Sequence, residues 1–190
     1  MDNVLKSLRD RDRVRAGVIS DTHGVLRPEA AAALAGVDVI LHAGDIGGPD
    51  ILDRLRRIAP VAAVRGNMDF GSWAAALPVI EVVTLAGAGI LLAHQGDALD
   101  ADPVALGCRA VVSGHTHRPS LEEREGVLYL NPGSAGRARF GSPSGVAFLE
   151  VHRGRVAGVL VPLDPGGVAE ERAPAWGMPL AASAPPPPRG

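Results

Sequence analysis

Two periodicities alternate along the middle of this chain. Short β-branched runs, apolar at nearly every position, occur at VRAGVIS (14–20), VDVILHA (37–43), VAAVRG (61–66), VIEVVTL (79–85), GILLAH (89–94) and RAVVSG (109–114), and each predicts a strand. PEAAAALAG (28–36) and PDILDRLRRIA (49–59) predict helices, each with Pro near its first turn and the first closing on Gly. Strand–helix–strand units with almost continuously apolar strands imply a largely parallel, covered sheet. Three later runs, VLYLNPG (127–133), SGVAFLEV (144–151) and RVAGVLVP (155–162), have no helices between them and predict an antiparallel addition. The pattern predicts an α/β sandwich of two sheets with helices outside.

The two ends differ from this middle. Residues 1–13 read as a charged leader, mobile or helical. From about Leu163 the chain is rich in Pro and Ala, shows neither period and finishes in four prolines before Arg189 and Gly190. Such a segment cannot offset its ordering entropy by burial, so residues 163–190 predict a disordered tail. Docking of that tail into a partner's aromatic groove is its functional alternative. Residues 14–162 then form one domain, as a length of 190 suggests.

Composition narrows the function classes. An apolar fraction of 46% and a charged fraction of 21% describe an ordinary globular protein. A net charge of −2 gives no electrostatic footprint for nucleic acid or an anionic membrane, and 3% aromatics supply little for base stacking. The single cysteine, Cys108, excludes an intramolecular disulfide and any Cys-based zinc cluster. The N-terminal stretch lacks a signal-peptide h-region, and no run approaches the ~20 apolar residues of a membrane span. A cytoplasmic protein is expected. Oligomeric state has no sequence signature, and a homo-oligomer stays open.

Candidate chemistry lies just beyond the strands, where ligands bind in such folds. SDTHG places Asp21 and His23 after the first strand, and AGDIGG places Asp45 after the second. RGNMD brings Asn67 and Asp69 after the third, GILLAH ends on His94, and SGHTHRP delivers His115 and His117. From His23 onward the successive strand ends are 21 to 27 residues apart, the length of a strand plus a crossover. Singly these pieces are turns or core histidines; in this order they point to metal. His42 and His152 fall outside the pattern and read as structural. Seven carboxylate, amide and imidazole donors exceed what one small cation needs and suit a two-metal site. A carboxylate such as Asp45 can bridge two ions with one oxygen to each.

These blocks, DTH, GD, GN, a strand-end His and GHTH, resemble the signature of the calcineurin-like metallophosphoesterase superfamily. The short length and the NPGS at Asn131–Ser134 further resemble its small YfcE-type phosphodiesterase branch. The resemblance spans roughly residues 14–161 and implies a four-layered αββα sandwich with two mixed β-sheets. It implies that Asp21, His23 and His117 bind one divalent metal and Asn67, His94 and His115 the other, with Asp45 shared. The implied reaction is in-line attack on phosphorus by a metal-bridging hydroxide, with a small phosphodiester as the expected substrate. A phosphomonoesterase or nucleotide-anhydride hydrolase would use the same site, and the retromer subunit of this fold, a scaffold that has lost several ligands, is the alternative of another class. The donor set suits Mn²⁺ first, then Fe²⁺, Ni²⁺, Co²⁺ or Zn²⁺, and contains no thiolate.

The chain departs from the pattern twice. Many members follow the GN asparagine with a histidine that assists the leaving group; here Met68 stands there and cannot donate a proton. Asp69 matches an acid of the small branch and is the catalytic candidate, able to orient a water or a ligand histidine. HQGD stands where HGH is usual, with Gly96 in place of the second histidine. Arg137, Arg139 and Arg65 are the candidate substrate-binding cations, each with a planar fork suited to phosphate. Phe70 and Trp73 are aromatics that either stack on substrate or pack the site.

Overall fold

The computed structural model describes residues 2–96, 100–136, 143–164 and 170–172. Its elements run α1 (Asp2–Arg9), β1 (Arg13–Ile19), α2 (Pro28–Ala33), β2 (Val39–His42), α3 (Pro49–Arg56), β3 (Val61–Ala63) and α4 (Ser72–Ala75). They continue β4 (Ile80–Leu85), β5 (Ala88–Ala93), β6 (Cys108–Val112), β7 (Ser120–Arg124), β8 (Val127–Asn131), β9 (Gly145–His152), β10 (Arg155–Pro162) and β11 (Glu170–Arg172). One mixed sheet has the order β11-β10-β9-β1-β2-β3 and the other β4-β5-β6-β8-β7. They pack face to face as the αββα sandwich, and the described residues form one domain.

Side-chain alternation explains the layering. In β1, Val14, Ala16 and Val18 face the second sheet and meet Ile90, Leu92, Val112, Leu128 and Leu130. Ile19 points the other way, with Ile40 and Val61, under Leu34 of the α2 turn and Ile51 and Leu55 of α3. Each such buried Leu or Ile stabilises the fold by about 1.5–3 kcal/mol over exposure. Gly17 is required beneath this layer, because a methyl there would overlap the Leu34 side chain. Leu91, Cys108, Val111, Val127 and Tyr129 form a smaller cluster on the outer face of the second sheet.

β1, β2 and β3 run parallel, as do β5, β6 and β8. The loops after β1, β2, β3, β5 and β6 therefore emerge where the two sheets meet. Two expectations change, for the late strands and for the start of the tail. The runs from 127 to 162 are not one antiparallel unit: β9 and β10 are antiparallel partners in the first sheet, whereas β8 joins the second sheet parallel to β6. The leader takes the helical of its two readings, as α1, and packs onto the fold: Leu8 is buried in the core between the sheets and its carbonyl accepts from Ala86 N–H at 2.9 Å. The tail region is ordered at its start, with Asp164 accepting from Arg27 at 2.9 Å and from Ser144 N–H at 2.8 Å, and β11 pairs with β10. No helix among the described residues is long and apolar enough to cross a membrane.

Candidate metal centre

The chain carries the parallel register of β1 and β2 into their loops. Asp21 N–H donates to Gly44 O at 3.0 Å, His23 N–H to Asp45 O at 2.9 Å and Gly24 N–H to Ile46 O at 2.8 Å. Gly114 N–H donates to His94 O at 3.0 Å, which ties the GHTH loop to the end of β5. Among the described residues, eight non-glycine residues have positive φ, and five of them are Asp21, His23, Asp45, His115 and His117. The other three, Ala86, Glu125 and Arg153, each precede a glycine in a tight turn. A left-handed backbone costs roughly 1–2 kcal/mol per residue, and its concentration at five predicted ligands marks the functional site. Within GHTH both His115 (φ 70°) and His117 (φ 56°) are left-handed, and their rings reach different partners, Asn67 for His115 and Asp21 for His117.

The predicted donors converge in two groups. In the first, His117 Nε2 lies 3.1 Å from Asp21 Oδ1, and His23 Nε2 lies 3.2 Å from His117 Nε2. In the second, Asn67 Oδ1 is 3.0 Å from both His94 Nε2 and His115 Nδ1. Asp45 Oδ2 stands between them, 3.4 Å from His94 Nε2 and 4.0 Å from His23 Nε2. Its other oxygen, Oδ1, is occupied by Met68 N–H at 2.8 Å. Oδ2 is thus the Asp45 oxygen that lies within 4.0 Å of an imidazole nitrogen in each group.

The donor chemistry fits divalent cations. Asp21 Oδ1 is buried and receives no hydrogen bond, while Oδ2 accepts from Ser20 Oγ–H at 2.7 Å and His115 N–H at 3.1 Å. His94 donates Nδ1–H to Ala43 O at 2.8 Å, which leaves Nε2 as the lone-pair nitrogen aimed at Asp45 and Asn67. Electron-rich atoms facing one another at these distances repel unless a cation or a proton lies between them. Burial raises the Asp21 carboxyl above its ordinary pKa. Burial also disfavours the charged forms of Asp45 and His94, but their mutual pairing outweighs it, so Asp45 is held below its usual range and His94 above. A cation among these donors would take the place of a proton on His94 Nε2.

Space around the donors is closed by two glycines. A methyl on Gly66 would overlap Asp45 Oδ1 and its backbone nitrogen. One on Gly114 would overlap Ser20 Oγ and lie 2.6 Å from Asp21 Oδ2.

Asp69 is placed differently from the seven ligands. Its Oδ2 accepts from Gly66 N–H at 2.8 Å and Ile46 N–H at 3.1 Å, and its Oδ1 from Gly47 N–H at 2.9 Å. It pins the β2 and β3 loops together. His42 acts similarly, as its structural reading anticipates: Nδ1 accepts from Gly44 N–H at 3.2 Å. Thr22 donates its hydroxyl to Ile46 O at 2.8 Å, so His42 Nε2–H donates to Thr22 Oγ1 at 3.0 Å. Burial pushes the His42 pKa down to about 3. Trp73 packs against the helix-side core, whereas Phe70 is 69% exposed. Arg65 lines a cleft with Asn67 and His94. Arg137 and Arg139 lie outside the described residues.

Two residues of NPGS hold the site, in roles the sequence did not reveal. Asn131 donates Nδ2–H to Gly114 O at 2.7 Å, and Ser134 donates its hydroxyl to Asp21 O at 2.9 Å. Their signal was a polar pair closing an apolar strand.

Residues 14–154 match the family model of the Calcineurin-like phosphoesterase superfamily domain. A probable metallophosphoesterase of Methanothermobacter thermautotrophicus is 40% identical over 140 residues, covering 67% of this chain and 81% of that protein. Among solved structures, wild-type Vps29 of Entamoeba histolytica complexed with Zn²⁺ is similar at a TM-score of 0.67 and 23% identity, over 83% of this chain and 98% of that one. YfcE, a phosphoesterase from E. coli, is similar at a TM-score of 0.62 and 23% identity, over 83% of this chain and 98% of that one. At such identity the two structures speak to the fold alone.

Proposed function

Because this chain belongs to the calcineurin-like phosphoesterase superfamily, a family of metal-dependent phosphoester hydrolases, we propose that it cleaves phosphodiesters at a two-metal centre. Asp21, His23 and His117 would hold one ion and Asn67, His94 and His115 the other, with Asp45 shared. Mn²⁺ is the first choice for a thiolate-free set of imidazole, carboxylate and amide donors. The observation that carries this reading is Asp45 Oδ2, placed 3.4 Å and 4.0 Å from imidazole nitrogens of the two groups.

Two bound cations supply an acidified water as nucleophile and neutralise charge on the phosphoryl oxygens. The chain's own residues do the rest. Asp69 and His42 fix the β2 loop, so that Asp45 presents one oxygen inward. Met68 N–H holds the other oxygen and so fixes the rotation of the carboxylate. Asp69 has all its described bonds to backbone N–H groups and serves as a positioning residue; no proton transfer is assigned to it. Arg65, beside Asn67, supplies positive charge for a phosphoryl oxygen. Met68 offers no proton to a departing alkoxide, so substrates with acidic leaving groups are favoured.

Metal analysis and paired assays test the proposal. The protein loaded with Mn²⁺ is expected to carry two ions per chain and to hydrolyse bis-p-nitrophenyl phosphate faster than p-nitrophenyl phosphate. Asp45→Asn should lower diester turnover by at least about 10³-fold, the scale of losing a principal transition-state interaction. One ion per chain, or a monoester preference, would overturn the respective half of this reading.

A further inference from the structure

We propose that the cleft between the β3 loop and the start of β4 receives an apolar ester substituent of the substrate, a single ring or a short branched alkyl group. The inference rests on the two-metal reading above and extends it to substrate class. Asn67 and His94, both of the second donor group, form one wall of this cleft, and Arg65, Val79, Ile80 and Ala93 form the rest of its character. Its volume of about 260 Å³ lies below the ~300–1,000 Å³ of pockets that take whole drug-sized ligands. It therefore has room for one group attached to the phosphate and not for an oligonucleotide.

The lining is unusual beside a polar centre. Val79 is 54% and Ile80 43% exposed, although both border the metal ligands. Ile80 opens β4, the edge strand of its sheet, and Val79 directly precedes it. Ile80 pairs with Ala93, directly before His94, which sets this apolar wall one residue from a metal donor. Arg65 has its backbone fixed by a 2.9 Å bond from its N–H to Pro78 O, and its guanidinium makes no ion pair with a described carboxylate. Arg65 and the apolar wall in one cleft suit a phosphate oxygen and a carbon substituent of the same ester. A monoester lacks the carbon substituent that would fill the wall while its leaving group departs. A diester has it.

The probes are phenylphosphonate and methylphosphonate, which share a head group, differ in the apolar substituent and cannot be hydrolysed at their P–C bonds. Calorimetric titration of the Mn²⁺-loaded protein is expected to show phenylphosphonate binding at least tenfold tighter. Ile80→Asp should bring that ratio to within about twofold of one, and Val79→Asp serves as the second variant should the first melt early. A ratio near one in the wild type, or a ratio unchanged in both variants, overturns the cleft assignment. Aryl preference with no diester turnover would sink the diesterase reading and leave the cleft standing. Failure to take up manganese would sink both.

Discussion

His42 permits a quantitative test of how the metal-bearing loops are held. Burial pushes its pKa from 6.5 down to about 3, with the nearby His94 adding to the shift. The unfolded chain takes up this proton near the ordinary value, so between about 3 and 6.5 the unfolded state binds more protons than the folded one. Stability is accordingly full well above pH 6.5 and is lost as pH falls through that window. Each unit costs about 1.4 kcal/mol, and allowing for the onset of the titration the loss at pH 5 is about 2 kcal/mol. Neighbouring groups act too. His94, raised by Asp45, contributes stability that is lost as pH rises, and Asp45, lowered by His94, contributes stability that is lost as pH falls. Both remain in His42→Gln, which keeps a donor for Thr22 and an acceptor for Gly44 but cannot titrate. Urea unfolding of the metal-free protein at about pH 8 and about pH 5 should show the wild type losing about 2 kcal/mol more than the variant. Losses agreeing within about half a kcal/mol would refute the claim that His42 is a buried neutral clamp.

Further outcomes follow from the same geometry. Gly66→Ala places a methyl against Asp45 Oδ1, and should abolish binding of the second ion by metal analysis while the protein remains folded by circular dichroism. Asn131→Ala removes the bond to Gly114 O, and should weaken Mn²⁺ binding by about 10–100-fold in a calorimetric titration. Met68→His restores a proton donor at a position 54% exposed. It should raise kcat for diesters with alkyl leaving groups by about 10²-fold while leaving p-nitrophenyl leaving groups little changed.

Hydrophobic pattern made most of the fold legible before any coordinates. β1, β2, β5 and β6 are buried along most of their length, so their apolar runs announce themselves. β7 was missed because only Leu121 among Ser120–Arg124 is buried, and a strand held by backbone bonds at a sheet edge needs no apolar signal. β11 escaped for the same reason: its three residues, EER, add to the edge of β10. The division of β8 from β9 was invisible too, since both are apolar and local pattern does not say which sheet a strand joins.

The candidate metal ligands were legible as well, because metal-binding chemistry restricts residue type and the fold places such residues after strands. Asp21, His23, Asp45, Asn67, His94, His115 and His117 all converge. What the sequence could not convey is which atom of each residue faces inward. Asp45 turns Oδ2 toward imidazole nitrogens of both donor groups, while Met68 N–H, 23 positions along the chain, occupies Oδ1. Asp69 clamps three backbone amides, and Asn131 holds the GHTH loop, through partners that only the packed sheets bring near. Residue type and spacing are local properties, carried by the chain itself. Hydrogen-bond direction depends on backbone atoms from distant segments, and these meet only when two sheets close on a shared core.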